Sequence, residues 1–291
     1  MHEKMALPVK PKPVESNILK YDWLIYGREK IGKTTLAASI PHNIFFCTEP
    51  GAKGLPIMEF NHENGGAKNW KVILEGIRLL TSEKHGFQIV TFDTIDNAYD
   101  FCSEYVCRKL GISAPGVTVD GKRDYGASWI EIRSEFSNAF RRLKRAGLSV
   151  MFISHCKEEQ IESYSGEKYS RIFPSMKGQA RGIVESLVDF FFYAEYIRLP
   201  NGESKRVLIC EGDELVWAGA REGIGGSFPR MLPLERVNGF DIIRKAFAGE
   251  YKGLDVSRIE PGLTAKKAAK SFIGDASLRA LDARLKSKKE K

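Results

Sequence analysis

The chain contains no run of 18 apolar residues, which excludes a membrane-spanning helix read from sequence. Its first twenty residues, MHEKMALPVKPKPVESNILK, hold no apolar stretch of signal-peptide length, so export by that route is not expected. Cysteine is scarce: Cys47, Cys102, Cys107, Cys156 and Cys210 include no CxxC pair. An odd count without metal-ligand spacing reads as reduced thiols, and the expectation is a soluble cytoplasmic protein without a membrane partner. Internal repeats are also lacking.

What is present is enough for a core. Hydrophobic residues make up 43% of the 291 positions and charged residues 28%, which excludes wholesale disorder. The net charge of +8 suggests polyanions until it is located. Residues 1–20 carry four Lys against two Glu, and residues 262–291 carry nine Lys or Arg against three acids. The 241 residues between them sum to zero. The basic excess therefore sits at the two ends, where it either keeps terminal segments soluble or contacts phosphates.

The arm 1–20, with Pro8, Pro11 and Pro13 among lysines, does not suit a regular element. Strands are expected at 21–26, 43–47, 87–92 and 149–154, each a short apolar run. Helices are expected at 33–40, at 69–80 with Trp70, Ile73, Leu74, Ile77 and Leu80 on one face, and from about Asp96 to Gly111. Trp129, Ile132, Phe136, Phe140 and Leu143 define another helix closed by Gly147. Segments 112–126 and 157–178 read as polar loops, the first mobile. The apolar run 183–197 joins 206–210 through an Asn201-Gly202 hairpin signal. The last thirty residues show two Lys-rich helical patterns. Strands alternating with helices predict an α/β fold, with a mainly parallel sheet and antiparallel hairpin strands at one edge. The expected division is an arm (1–20), a core (21–240) and a basic helical segment (241–291).

Residues 27–34, GREKIGKT, satisfy G-x-x-x-x-G-K-[ST] in full. Gly27 and Gly32 let the backbone turn tightly, so that the N–H groups of Arg28, Glu29, Lys30 and Ile31 can face phosphates. Lys33 can reach the β- and γ-phosphates, Thr34 can supply a hydroxyl to Mg²⁺, and Thr35 continues the helix whose positive end faces the site. A strand runs into this loop and a helix runs out.

Such a loop needs an acidic residue for the metal at the end of a neighbouring apolar strand. Asp93, after FQIVTF, holds that position; the alternative is a helix-cap role shared with Thr94 and Asp96. Thr94 follows it rather than Glu, so a base that orients water must lie elsewhere. Glu49, in CTEPGAKG, sits in a turn after the strand 43–47 and is either that base or a solvated side chain. His155 ends the strand SVMFIS at the carboxyl edge where sheet ligands bind, and is either a γ-phosphate sensor or a structural histidine.

These four places, in this order, resemble the RecA-like recombinase core. GREKIGKT keeps the Glu of RecA at Glu29, while Arg28 and Ile31 depart from its usual Pro and Ser. CTEPG looks like the segment with the catalytic glutamate, FQIVTFDTID like the Walker B strand, and MFISH like the strand ending in a polar sensor. Over residues 21–235 the chain is most similar to phage-encoded RecA-like ATPases of the Sak type, which act in single-strand annealing and recombination. The resemblance implies ATP and Mg²⁺ as cofactors, with Lys33, Glu49 and His155 catalytic and Thr34 and Asp93 on the metal. It implies single-stranded DNA as partner, through about 111–126 and 157–178. In the second segment Lys168, Tyr169, Arg171, Phe173 and Lys177 interleave aromatics with cations, although Glu158, Glu159, Glu162 and Glu167 nearly cancel their charge. It also implies a homo-oligomer, filament or ring, whose neighbour supplies a cation; Arg221 and Arg230 are the candidates. The basic tail is a candidate contact for a single-strand-binding protein. The rival reading is a P-loop ATPase acting on a protein partner, a loader or assembly ring, without intrinsic DNA binding. A small-molecule kinase lacks a recognisable lid, and GTP lacks its NKxD motif.

Overall fold

The computed structural model describes residues 7, 9–164, 166–199, 201–221 and 228–254. The two Lys-rich helical patterns expected in the last thirty residues lie outside this range. The strands β1 (Trp23–Gly27), β2 (Asn43–Cys47), β4 (Ile89–Asp93) and β5 (Ser149–Ser154) are buried at every position. That pattern belongs to a sheet covered on both faces, and the alternate residues of β1 show it. Leu24 packs with one core, and Trp23 and Ile25 with the other.

The helices follow from their apolar spacing. Helix α1 (Lys33–Ala38) leaves the phosphate loop and stops before Pro41. A two-residue strand β3 (Met58–Glu59) edges the sheet. Helix α2 (Trp70–Ser82) is capped by Asn69, whose side chain accepts from the Val72 N–H at 3.1 Å. Helix α3 (Ile95–Leu110) ends in a left-handed Gly111, and α4 (Ala127–Arg145) buries Ile132, Phe136, Phe140 and Leu143. Phe92 meets Phe46, Phe140 and Phe152 at ring-centroid distances of 5.1, 5.1 and 6.0 Å, which locks α4 to the middle of the sheet.

Two segments differ from the sequence expectation. Residues 157–178 do not form a loop: β6 (Cys156–Glu162) and β7 (Lys168–Pro174) pair antiparallel as a separate two-stranded hairpin, followed by α5 (Gly178–Leu187). Their polar composition suits a ribbon in which only part of each face is covered. The apolar run 183–197 is two elements, because the chain turns extended at Val188 and re-enters the sheet as β8 (Phe190–Arg198). Strand β9 (Ser204–Ile209) returns beside it through the turn containing Asn201-Gly202, with Arg198 opposite Ser204. Strands β10 (Gly219–Ala220) and β11 (Met231–Pro233) complete the sheet. Helix α6 (Gly239–Phe247) inserts Phe240, Ile243, Ala246 and Phe247 into the same core as α1.

The sheet has nine strands in the order β11-β9-β8-β1-β5-β4-β2-β3, with β10 also on β8. From β8 to β3 the pairings are parallel, and β9, β10 and β11 are antiparallel. The expected α/β class, a mainly parallel sheet with added antiparallel strands, is the fold adopted. Strand β5 lies between β1 and β4, so the carboxyl ends of β1, β5, β4 and β2 stand side by side. Ligands of open α/β sheets bind above such ends. Among the described residues, no helix is long and apolar enough to cross a membrane.

Candidate nucleotide site

The loop between β1 and α1 adopts the geometry its glycines permit. Gly27 and Gly32 have φ of 155° and 113°, and Lys30 is also left-handed at 59°. A Cβ on Gly27 would stand 2.4 Å from the Ala194 carbonyl oxygen of β8, so only glycine fits this close crossing. Ile31, at the position where the RecA loop has Ser, is fully buried and anchors the loop to the core.

Lys33 is 5% exposed, and burial pushes its pKa below the ordinary lysine value. Its Nζ donates to the carbonyls of Gly27 at 2.9 Å and Arg28 at 2.8 Å. The Thr34 hydroxyl donates to Asp93 Oδ2 at 2.7 Å. Asp93 is also buried; burial raises its pKa, while the Thr34 hydrogen bond lowers it. One hydroxyl and one carboxylate at this separation form a hard-oxygen pair of the kind Mg²⁺ accepts. The buried lysine beside the glycine-bounded loop suits phosphate. The residues present therefore fit a magnesium–nucleotide ligand.

Glu49 and His155 meet across the mouth of the site, His155 Nε2 lying 3.5 Å from Glu49 Oε1. Both line a cleft of about 600 Å³ together with Glu29, Lys30, Gly32, Lys33, Thr34, Thr35 and Asp93. Glu49 is placed by contacts that spacing does not reveal. Its neighbour Thr48 accepts from the Thr94 N–H and donates to the Thr94 carbonyl, both at 2.9 Å, tying the end of β2 to the end of β4. Asn97 donates to Glu49 Oε2 at 3.4 Å. The Arg206 guanidinium of β9 donates to the Ile31 carbonyl at 3.2 Å and so braces the phosphate loop from outside.

His155 is also the last residue before the β6–β7 hairpin. Asp96 Oδ1 accepts from Ser154 on one side, at 3.2 Å, and from Ser175 beyond the hairpin, at 2.5 Å. The His155 carbonyl accepts from the Ser175 N–H at 2.9 Å. Two buried polar atoms here, Asp96 Oδ2 and His155 Nδ1, have no partner. Thus the end of β5, the start of α3 and the base of the hairpin are one bonded unit.

The residues expected to meet DNA are spread over the hairpin and its exit. Lys168 stands opposite Glu162, and Tyr169 opposite Ile161. Arg171 lies over the Phe173 ring at 5.4 Å and donates to the Asp213 carbonyl at 3.3 Å. Lys177 pairs with Asp100 at 2.5 Å, and Tyr164 at the tip is fully exposed. Of the two candidate arginines for a neighbouring site, Arg221 donates to the carbonyls of Ser186 and Val188 at the end of α5. Arg230 pairs with Asp213 at 2.8 Å. Neither belongs to the lining of the cleft.

Residues 19–221 match the family described as an AAA domain. No curated protein matches. Among solved structures the chain is similar to one described as the crystal structure of the RadB recombinase, with 15% identity, 65% of this chain and 80% of that chain covered, and a TM-score of 0.36. The family match spans more than half of the sequence and includes the loop, Glu49, Asp93 and His155, so the chain belongs to the AAA domain family and carries its P-loop nucleotide site.

Proposed function

We propose that this protein is a Mg²⁺-dependent ATPase that binds single-stranded DNA and promotes annealing or strand exchange, in the manner of the Sak-type ATPases its sequence resembles. The observation that carries this reading is the continuity at His155. One end of this residue faces Glu49 in the nucleotide cleft, and the other begins the hairpin.

In this reading the loop amides and Lys33 hold the triphosphate. To do so, Lys33 exchanges its two carbonyl partners for phosphate oxygens, which restores the charge interaction that burial withholds. Thr34 and Asp93 would hold Mg²⁺, which neutralises phosphate charge when bound. Glu49, fixed by Thr48 and Asn97, accepts a proton from the attacking water. His155 responds to the terminal phosphate and moves with the base of the hairpin through Asp96 and Ser175. Lys168, Tyr169 and the exposed Tyr164 supply a cation and stacking faces for a single strand. The protein assembles on the strand, and a neighbour contributes a cation. Arg230 is the better placed candidate, since its partner Asp213 is itself half exposed, whereas Arg221 closes α5. The test is strand-stimulated hydrolysis, abolished by Lys33→Ala.

A second reading keeps the ATPase and replaces DNA with a protein partner. It is favoured by the hairpin's own pairing: Glu159 holds Lys157 and Arg181 at 3.0 and 2.8 Å, and Lys177 is held by Asp100. Turnover that depends on Lys33 but ignores DNA would select it.

A further inference from the structure

Away from the cleft and the hairpin, the helical layer carries a groove of about 490 Å³ between the first turn of α2 and one face of α3. Its walls include Lys68 just before the cap of α2, Lys71 in its first turn, and Phe101, Tyr105, Arg108 and Lys109 on α3. Phe101, Tyr105 and Lys109 recur at four-residue intervals, so helical geometry places them on one side of α3. Both aromatic rings are half-buried against the core, which fixes them while leaving part of each toward the groove.

The charge is one-sided. Glu104 is the carboxylate in the groove, and it already pairs with Arg108 at 2.8 Å. Among the described residues, Lys68, Lys71 and Lys109 have no carboxylate within 4.0 Å. Three uncompensated amines around fixed aromatic rings attract phosphates and offer a stacking surface at the same place. An oligoanion with flat uncharged rings between its charges is single-stranded nucleic acid. A duplex hides its ring faces, and a run of Asp or Glu carries none.

We propose that this groove is a second binding site for single-stranded nucleic acid, in which Lys68, Lys71 and Lys109 contact phosphates and a base stacks on Tyr105. It requires neither ATP nor the hairpin and shares no residue with either.

The test uses the full chain without nucleotide and an oligothymidylate of about 20 nucleotides bearing 5-iododeoxyuridine, a length that spans one or two protein-bound segments. Irradiation should attach the oligonucleotide to the peptide containing Tyr105. The triple variant Lys68→Ala/Lys71→Ala/Lys109→Ala changes exposed side chains only; with its circular dichroism unchanged, it should bind roughly tenfold more weakly at low salt and lower the log–log salt slope by about 2. Adducts confined to Tyr164 or Tyr169, with binding by the triple variant unchanged, would overturn the groove and leave the hairpin reading standing. Adducts confined to the groove would support it and remove the hairpin as the DNA site. Oligoglutamate that displaces the strand at equal charge concentration would overturn it in favour of an acidic peptide. Absence of any strand binding would overturn both readings.

Discussion

Asp22 stands just before β1 and is 2% exposed, yet it holds the amino-terminal edge of three strands. Its carboxylate accepts from the Val150 N–H at 2.8 Å and contacts the Lys144 ammonium, while its own N–H donates to Asp189 at 2.9 Å. Replacing it by Ala leaves the Val150 N–H and the Lys144 ammonium without this carboxylate, and we expect a loss of about 3 kcal/mol. Urea unfolding of Asp22→Ala should show a lower midpoint with an unchanged slope; an unmoved midpoint would contradict the role. Burial, the largest influence, raises the Asp22 pKa above its ordinary value. The folded state thus favours the proton more than the unfolded state does. The resulting stabilisation is complete in acid, below the unfolded pKa, and is lost as pH rises through the raised folded value. The stability margin of the wild type over Asp22→Asn should therefore narrow with increasing pH; a margin that widens would reverse the sign.

At the nucleotide site, the residues that chemistry constrains to a fixed spacing were legible: Gly27 through Thr35 are contiguous, Asp93 ends an apolar strand, and Glu49 and His155 lie within two residues beyond one. Thr48, Asn97, Asp96, Ser175 and Arg206 were not legible. Their partners lie between 46 and 175 positions away, and a lone polar residue carries no periodicity that announces such a contact.

Among elements, the hairpin β6–β7 shows why the segment 157–178 reads as a loop. In β6 the face that turns inward carries Lys157, Glu159 and Ile161, so charge compensation by Arg181 and Lys157 replaces the apolar alternation that marks a strand. The central strands were legible because they are buried on both faces and hence continuously apolar. Ser175 ties the hairpin to Asp96, and Ser175→Ala removes that tie without touching the nucleotide cleft. We expect basal hydrolysis to be retained and the stimulation by single-stranded DNA to fall by about fivefold, the size of a modest coupling energy. Stimulation equal to wild type would mean that the hairpin is not driven through this contact. Helix α6 offers a packing test. Phe247 meets Tyr21, Phe190 and Phe228 at 5.4, 6.2 and 6.1 Å, and Phe247→Ala should cost about 3 kcal/mol in thermal or urea unfolding. A change within about 0.5 kcal/mol, as for surface substitutions, would show that α6 is not part of the cooperative core.

For the molecule as a whole, the strand order places four carboxyl ends beside one cleft and sends one of them, through His155, directly into the hairpin. The near-neutral 241-residue interval between the basic ends means that polyanion binding, where it occurs, depends on local arrangement rather than on net charge. The most direct measurement is ATP hydrolysis by the wild type and by Lys33→Ala, each with and without single-stranded DNA at low salt. The proposal predicts several-fold stimulation of the wild type and loss of turnover in the variant. Turnover that requires Lys33 but is the same with and without the strand would contradict DNA as the effector, and turnover that survives Lys33→Ala would contradict the phosphate loop as the catalytic site.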